Sequence, residues 1–160
     1  MTPTEVVGPA TGAWPEPLLA CYRTDRLELV RVAYLITGNR HVAEEIVQDA
    51  FVASARAWPR VRDTKAYVRA AVVNGSRSWL RRRRLERSHA YDRAEASVAS
   101  PDELSDVLGR LNPRQRAAVV LRYYEGLPDA EIARVLGCRI ATVRTVIHRA
   151  LGALRHEIQR

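Results

Sequence analysis

The 160-residue sequence has few cysteines, almost no strand signals and no long apolar run. Cys21 and Cys138 are far apart and belong to no CxxC or Cys/His cluster, so we expect free thiols in a reducing cytoplasm and no zinc site. No apolar stretch approaches the ~20 residues that cross a bilayer. Residues 1–17 are rich in proline and glycine and lack the basic and apolar regions of a secretory signal. We therefore expect a flexible tail and a soluble protein without a membrane partner.

Enzyme signatures are also missing from the sequence. The four histidines show no metal-ligand spacing with cysteines or acids. There is no phosphate loop, nucleophile elbow or defensible pair of catalytic carboxylates. The sequence therefore predicts no catalytic residue, no metal and no cofactor, and we do not expect an enzyme.

Apolar residues recur at intervals of three and four almost everywhere, which predicts an all-α protein. Gly38 is expected to end the first helix in the left-handed conformation, and Asn39 to cap the second. Ser100 and Asn112 each precede a proline and then a Glu or Gln at the third helical position, which is a strong start signal. The predicted helices cover residues 18–37, 40–58, 64–88, 101–110, 113–125, 129–137 and 140–158.

Residues 89–100 are small and polar and carry no sustained apolar stripe, which is typical of a linker. They divide the chain into two small helical units, residues 18–88 and 101–160. The length of the chain suits one ordinary core or two small ones.

The net charge of +8 and the pI near 10.3 favour a polyanionic partner. The segment from Arg77 to Arg87 holds six arginines and one glutamate, so it contributes +5 of that charge and predicts a phosphate-binding track. Tyr67 and Trp79 offer ring faces on which an unpaired base could stack, or they are core aromatics. Asn74 carries an amide suited to a base edge.

Residues 129–148 have the spacing of a helix-turn-helix. Ala133 is small where the helices cross, and Gly137 permits the tight turn. The alternative is an ordinary helical hairpin with a solvated polar face. The apolar faces are assigned to Ile132, Leu136, Ile140, Val143 and Ile147, and the polar face of the second helix to Thr142, Thr145, His148 and Arg149.

The helix predicted around residues 42–58 carries an acidic patch, against the charge of the whole chain. A helical projection places Val52 and Ala55 beside these acids, so an apolar spot adjoins carboxylates. Such a face suits a protein partner with basic residues, or it is merely solvated. The acidic side comprises Glu44, Glu45, Gln48 and Asp49, and the core side comprises Ala43, Ile46, Val47, Ala50, Ser54 and Ala57.

Taken in order, these features resemble the extracytoplasmic-function group of the sigma-70 family, most closely its actinobacterial members, over residues 18–158. The matching stretches are residues 33–38 (AYLITG), 43–51 (AEEIVQDAF), 66–69 (AYVR) through Asn74 to the arginines, and 131–133 (EIA) to 142–144 (TVR). This resemblance implies an initiation factor that directs RNA polymerase to promoters and aids promoter melting. The alternative is a stand-alone helix-turn-helix regulator, against which the arginine track and the acidic helix argue, because a sensor domain needs neither.

The resemblance also implies a role for each unit. Residues 18–88 correspond to sigma region 2, which binds the largest and second-largest subunits of core polymerase and the minus-ten element, and residues 101–160 correspond to region 4. Promoter DNA is then the second partner, and an anti-sigma factor is a further candidate partner. The protein would be cytoplasmic and associated with the nucleoid through polymerase. The implied core-polymerase contacts are Glu44, Glu45, Gln48, Asp49 and Val52; the minus-ten contacts are Tyr67, Asn74, Arg77, Trp79, Arg81, Arg82, Arg83 and Arg84; the minus-thirty-five contacts are Thr142, Arg144, Thr145, His148 and Arg149.

Two positions depart from the family pattern. Pro128 stands where relatives often have a serine before the helix-turn-helix, so Asp129 is expected to replace the missing hydroxyl cap. Gly75 and Ser76 make the chain after Asn74 softer than in many relatives.

Overall fold

The computed structural model describes residues 13–89 and 103–159, and every regular element in these two segments is helical. The predicted all-α class is confirmed. No helix in the described segments is both long and apolar enough to span a membrane. In chain order the helices are α1 (Glu16–Thr37), α2 (Arg40–Ala57), α3 (Thr64–His89), α4 (Glu103–Gly109), α5 (Pro113–Val119, continued by the π-helical segment Val120–Tyr124), α6 (Asp129–Leu136) and α7 (Ile140–Ile158).

The helix ends follow from local capping chemistry. Gly38 has a φ of 72° and ends α1 in the left-handed region, and the Asn39 side chain accepts a hydrogen bond from the backbone N–H of Val42 at 3.1 Å. Asn112 and Gln115 form the reciprocal capping box at the start of α5. These three predicted signals are confirmed, whereas Ser100 lies outside the described residues.

Helices α1, α2 and α3 pack around the Phe51 side chain, which is fully buried. The Trp14 ring stacks on Phe51 with centroids 5.9 Å apart, and Tyr22 meets the same ring edge-on at 5.1 Å. Because burying these rings releases much apolar surface from water, the ordered chain starts earlier than predicted. Helix α1 begins at Glu16, and Trp14 already belongs to the packed structure, within the segment expected to be a tail.

The core of the second unit is continuous with the first unit. Leu111, Leu121 and Ile132 of the second unit belong to one buried apolar cluster with residues of α1 and α3. The sequence did not indicate this shared core, because helical periodicity identifies an apolar face without identifying what covers it. The α1 and α3 members of the cluster are Val32, Ile36, Val73 and Leu80.

Two arginines bridge the units through backbone carbonyl groups. Arg116 on α5 is 4% exposed, and its Nε donates to the Leu35 carbonyl oxygen of α1 at 2.6 Å. Arg84 on α3 donates from Nη2 to the Leu111 carbonyl oxygen at 2.5 Å. Burial, reinforced by the charge of Arg84, lowers the pKa of Arg116 to about 10. Arg116 remains charged at neutral pH, so its hydrogen bond across the boundary is charge-assisted.

Candidate nucleic-acid and partner interfaces

Helix α2 presents its predicted acidic face to solvent. Glu44, Glu45, Gln48 and Asp49 are exposed, and Val52 beside them is half-buried. Four of the six predicted core-side residues, Ala43, Val47, Ala50 and Ser54, are buried, whereas Ile46 and Ala57 are only half-buried. The largest core residue of this helix, Phe51, was not assigned to the core side, although its aromatic ring was the available signal. The five candidate polymerase contacts therefore share one side of α2.

Helix α3 carries its predicted residues on two separate stripes. Tyr67, Asn74 and Arg81 lie seven residues apart and are exposed to solvent. Arg77 and Arg84 lie on a second stripe, next to the other unit. Arg84 is exposed but donates to the Leu111 carbonyl oxygen, and Arg77 is half-buried near Arg114. Burial, followed by the charges of Arg81 and Arg114, lowers the pKa of Arg77. The arginine track is therefore largely exposed, with only Arg77 and Arg83 half-buried.

The side chains around Asn74 already have internal contacts. The Asn74 Oδ1 atom accepts a hydrogen bond from Arg77 Nη1 at 3.3 Å, and the Arg81 guanidinium donates to the Ser78 hydroxyl at 3.2 Å. Arg82 is exposed, and Arg83 is half-buried. Because Asn74 itself is exposed, its amide is accessible to a base edge.

The two aromatic candidates differ in their surroundings. Tyr67 is 40% exposed and has an accessible side chain on which a base could stack. Trp79 is half-buried against the shared apolar cluster, and the Arg83 guanidinium lies 5.3 Å from its ring centroid. In this conformation Trp79 packs as a core-edge aromatic side chain.

Helices α6 and α7 form the predicted helix-turn-helix. Gly137 has a φ of 64°, and the turn is closed by the Cys138 N–H donating to the Ala133 carbonyl at 3.0 Å. The assignment of Ile140 to the buried apolar faces is wrong: it is 42% exposed, because as the first residue of α7 it lies at the outer end of the apolar stripe. The other assigned apolar residues, Ile132, Leu136, Val143 and Ile147, are buried.

The candidate DNA-reading side chains occupy the outer half of α7. Arg144, Thr145, His148 and Arg149 are exposed, and Thr142 is half-buried. The Thr145 hydroxyl donates to the Ala141 carbonyl oxygen at 3.1 Å, which leaves its oxygen able to accept a further hydrogen bond. The structure therefore brings all five predicted residues to one side of this helix.

Asp129 does not cap α6 as expected. Pro128 is the capping residue and makes no side-chain cap bond, whereas the Asp129 carboxylate receives Arg144 Nε at 3.1 Å and pairs with Arg122. Asp129 is the first helical residue, and its side chain reaches two arginines from flanking elements rather than its own backbone N–H groups. Arg144 is consequently tethered, unlike its neighbours on α7.

An ion-paired group between the units was not anticipated from the sequence. Arg69 Nε on α3 lies 3.2 Å from Glu125 Oε2, and Arg69 Nη1 lies 3.9 Å from Glu131 Oε2 on α6. Burial, together with the neighbouring carboxyl group of Glu28, raises the pKa of Glu125 to about 7. The pairing joins residues about 60 positions apart, for which a single sequence offers no signal. In residues 13–89 and 103–159 no cluster of acids, histidines and cysteines is arranged to hold a metal.

An arginine-bearing helix in one helical unit, followed by a helix-turn-helix in the other, is typical of a nucleic-acid-binding protein. Residues 21–86 match the family described as Sigma-70 region 2, and residues 102–154 match Sigma-70, region 4. The chain is 33% identical over 147 residues to the RNA polymerase sigma-E factor of Streptomyces avermitilis, a match covering 86% of this chain and 82% of that protein. It belongs to the sigma-70 family, within the extracytoplasmic-function group.

Other relatives agree with this assignment. The SigE sigma factor of Mycolicibacterium smegmatis is 33% identical, with 91% of this chain and 62% of that protein covered. Among solved structures, the sigma factor SigJ of Mycobacterium tuberculosis superposes with a TM-score of 0.62 at 30% identity, over 85% of this chain and 52% of that one. The sigma factor RpoE of Bartonella quintana, solved with the anti-sigma factor NepR, has a TM-score of 0.69 at 21% identity, over 91% of this chain and 98% of that one, and shares the fold.

The chain is therefore a sigma factor that directs RNA polymerase to promoters, and it is not an enzyme. The stand-alone regulator is not favoured, because both sigma regions are present in one chain.

We predict that Asp129→Asn will weaken the helix-turn-helix and strengthen its attraction to DNA. The amide keeps the shape of the side chain but releases Arg144 and removes a negative charge beside α7, the candidate DNA-reading helix. We expect a melting temperature lower by about 2–5 °C, tighter binding to non-specific duplex, and a steeper salt dependence. Thermal denaturation and fluorescence anisotropy measure these effects. Asp106→Asn, at an exposed position on α4, is the matched control. Unchanged binding and melting in Asp129→Asn would contradict the tether.

Proposed function

We propose that the two units divide promoter recognition between them. Residues 18–88 bind core polymerase and the minus-ten element, residues 101–160 bind the minus-thirty-five element, and residues 89–100 connect them. The observation that carries this proposal is the separation of three exposed faces with different chemistry: an acidic face on α2, a basic and amide-bearing face on α3, and a polar face on α7.

The acidic face of α2 is proposed to dock on basic surface of the largest polymerase subunit, with further contacts to the second-largest subunit. Glu44, Glu45, Gln48 and Asp49 are exposed beside half-buried Val52. Because the chain carries a net charge of +8, this patch gives one face a sign opposite to that of the rest of the molecule. A DNA-facing surface would be basic, so this patch favours a protein partner.

The solvent stripe of α3 is proposed to hold the separated non-template strand of the minus-ten element. Tyr67 offers a ring for stacking, Asn74 an amide for an unstacked base, and Arg81 and Arg82 charges for phosphates. A captured base offsets part of the cost of unpairing, which is how this stripe would aid melting. The same helix is proposed to extend this site with Arg77, Trp79, Arg83 and Arg84.

The outer half of α7 is proposed to read the minus-thirty-five element in the major groove. Thr142, Thr145 and His148 supply hydrogen-bonding groups to base edges, and Arg149 suits a guanine or a phosphate. Arg144 is proposed to contact the backbone, since its Nε is already committed to Asp129.

A small inhibitory protein is proposed as a further partner. The related sigma factor of Bartonella quintana was solved with its anti-sigma factor, and the two proteins share the fold. We also propose that the chain acts in the cytoplasm and associates with the nucleoid through polymerase, as its two DNA-facing surfaces require.

The acidic face of α2 is tested by Glu45→Arg combined with Asp49→Arg. Both side chains are exposed, so the fold should persist while core binding is lost through like-charge repulsion. The measurement is co-purification with core polymerase, with circular dichroism to follow helical content. Glu103→Arg combined with Asp106→Arg makes the same charge change on exposed α4 positions and should bind normally. Normal binding by the α2 variant would exclude this face.

The outer half of α7 is tested by Arg149→Ala and Thr145→Ala. Each should weaken the upstream contact by about 1–3 kcal/mol, or roughly ten- to hundredfold, without affecting core binding. The readout is holoenzyme binding to minus-thirty-five variants of a promoter located by transcript-start mapping after induced expression. Arg155→Ala, exposed near the end of the same helix, is the control. An unaltered preference among the promoter variants would show that this helix is not the reader.

The solvent stripe of α3 is tested by Asn74→Ala in the holoenzyme. Opening of a duplex promoter should suffer much more than initiation on a template already mismatched across the minus-ten bubble, because base capture matters most while strands must still separate. Permanganate footprinting and abortive initiation on both templates measure this difference. Gln159→Ala, which removes an exposed amide at the end of α7, is the control. Equal losses on both templates would reduce Asn74 to an affinity or structural role.

A further inference from the structure

One carboxylate connects two arginines from different elements of the second unit. Asp129, the first residue of α6, receives Arg144 Nε of α7 at its Oδ2 atom, at 3.1 Å, and its Oδ1 atom pairs with Arg122. The two guanidinium groups of this charged triad therefore occupy different oxygens of the same carboxylate. The Arg144 side chain is 73% exposed and that of Arg122 only 32%, so Arg144 is the arginine that DNA can reach.

The backbone before α6 carries Arg122 to this carboxylate. Arg122 lies in the π-helical turn, in which the Glu125 N–H donates to the Val120 carbonyl oxygen five residues earlier at 3.2 Å. The Leu127 N–H then donates to the Leu121 carbonyl oxygen at 3.0 Å, so the chain folds back and α6 begins beside the turn. Such π-helical turns are rare and frequently occur at functional sites.

Packing alone does not account for an arginine at this position. Arg122 Nε is buried and has no hydrogen-bond partner within residues 13–89 and 103–159. A buried donor without an acceptor costs free energy, which an apolar side chain of similar volume would avoid. The contact that distinguishes Arg122 from such a side chain is its ion pair with Asp129.

The ion pair with Arg122 determines what the carboxylate can do for Arg144. A planar guanidinium that is tied at Nε presents its Nη groups in one direction, and these groups suit the oxygens of a phosphate. Phosphate contacts fix the register and orientation of a protein on duplex DNA, whereas base contacts read the sequence. Asp129 can direct Arg144 in this way only if the carboxylate itself does not rotate, and Arg122 restrains it at the other oxygen.

We propose that Arg122 is a positioning residue for promoter recognition: acting through Asp129, it fixes the Arg144 guanidinium against one DNA phosphate and thereby sets the register of α7 in the major groove. The proposal rests on the assignment of α7 to the minus-thirty-five element. Arg122 acts without touching DNA, which separates it from the five candidate readers on α7. Recognition of the upstream element thus depends on a residue that precedes the helix-turn-helix in the chain.

The positioning is tested first without DNA, by NMR relaxation of the arginine Nε–H groups in the full chain. The order parameter of the Arg144 group should be about 0.85, like that of rigid backbone, and that of the exposed Arg149 group below about 0.6. Arg122→Gln should lower the Arg144 value below about 0.6, because the carboxylate loses the partner that restrains it. Arg155→Gln, which removes the same charge from an exposed position on α7, should leave it unchanged. An Arg144 group that is mobile from the start, or that stays ordered in Arg122→Gln, would overturn the proposal.

Two further variants show whether Arg122 acts through the carboxylate. Arg122→Lys retains the charge without the planar fork, so it should restore part of the Arg144 order that Arg122→Gln removes. Asp129→Asn should mobilise the Arg144 group at least as much as Arg122→Gln does, since it removes the link between the two arginines. An Arg144 group that stays ordered in Asp129→Asn would exclude the carboxylate as that link.

The use of this order in promoter binding is tested with the holoenzyme on duplexes in which single phosphates of the minus-thirty-five region are replaced by neutral methylphosphonates. Neutralising the phosphate that Arg144 contacts should weaken binding about tenfold, and Arg144→Ala should abolish that sensitivity. In Arg122→Gln the same replacement should weaken binding about threefold or less, because a mobile guanidinium spends less time at that phosphate. Arg155→Gln should retain the full effect of the replacement.

The outcomes separate this proposal from the assignment on which it rests. A full effect of the replacement in Arg122→Gln, whatever the melting temperature of that variant, would reduce Arg122 to a structural role. Absence of any phosphate whose effect depends on Arg144 would overturn the link to promoter binding, even with an ordered Arg144 group. The assignment of α7 fails separately, in the assay of Arg149→Ala and Thr145→Ala on minus-thirty-five variants. The relaxation measurement contains no DNA, so it decides independently whether Arg122 holds Arg144.

Discussion

The packing of the two units depends on the guanidinium of Arg116, which is buried against the carboxyl end of α1. Its Nε atom donates to the Leu35 carbonyl oxygen, one of the last four of the helix, which have no partner within it. The charge thus meets the negative end of the α1 dipole and forms no ion pair in the described segments. A Cβ at Gly38 would lie 3.1 Å from Ser105 Oγ, so glycine both ends α1 and admits the second unit. Gly38 therefore serves both the end of α1 and the interface between the two units.

Sequence patterns predicted the elements well, because capping and periodicity are local. Asn39 and Asn112 act on backbone groups three residues away, and Gly137 acts on its own φ angle. The arrangement of the candidate site was predicted only in part. The pairing of Arg69 was not predicted, because nothing near it in sequence shows that Glu125 reaches it from the other unit. Helical projection found the exposed face of α2, but it could not show which arginines of α3 contact the second unit.

Two acidic residues of this basic chain, Glu125 and Asp129, each hold an arginine in place. Asp129 holds Arg144, and Glu125 holds Arg69, while the exposed Arg82 and Arg149 have no carboxylate partner in the part of the chain that the structure describes. An arginine without an internal partner can meet phosphate without first breaking an ion pair, so it contributes its full counterion release. A tethered arginine gains less from DNA but is held in one orientation. If the proposed DNA contacts hold, affinity and positioning are assigned to different residues.

Helix α3 has to serve three surfaces at once, and its small residues make this possible. Val68 and Val72 face the first core, Val73 and Leu80 the shared cluster, and Asn74 the solvent. A Cβ at Gly75 would lie 3.1 Å from Ile46 Cγ2. The buried Ser76 hydroxyl donates a hydrogen bond to the Val72 carbonyl oxygen at 2.8 Å. The two small residues after Asn74, Gly75 and Ser76, are therefore explained by the close approach of α2. Larger side chains there would push α3 outward and move the amide of Asn74 with it, so the packing beneath this residue determines where it can meet a base.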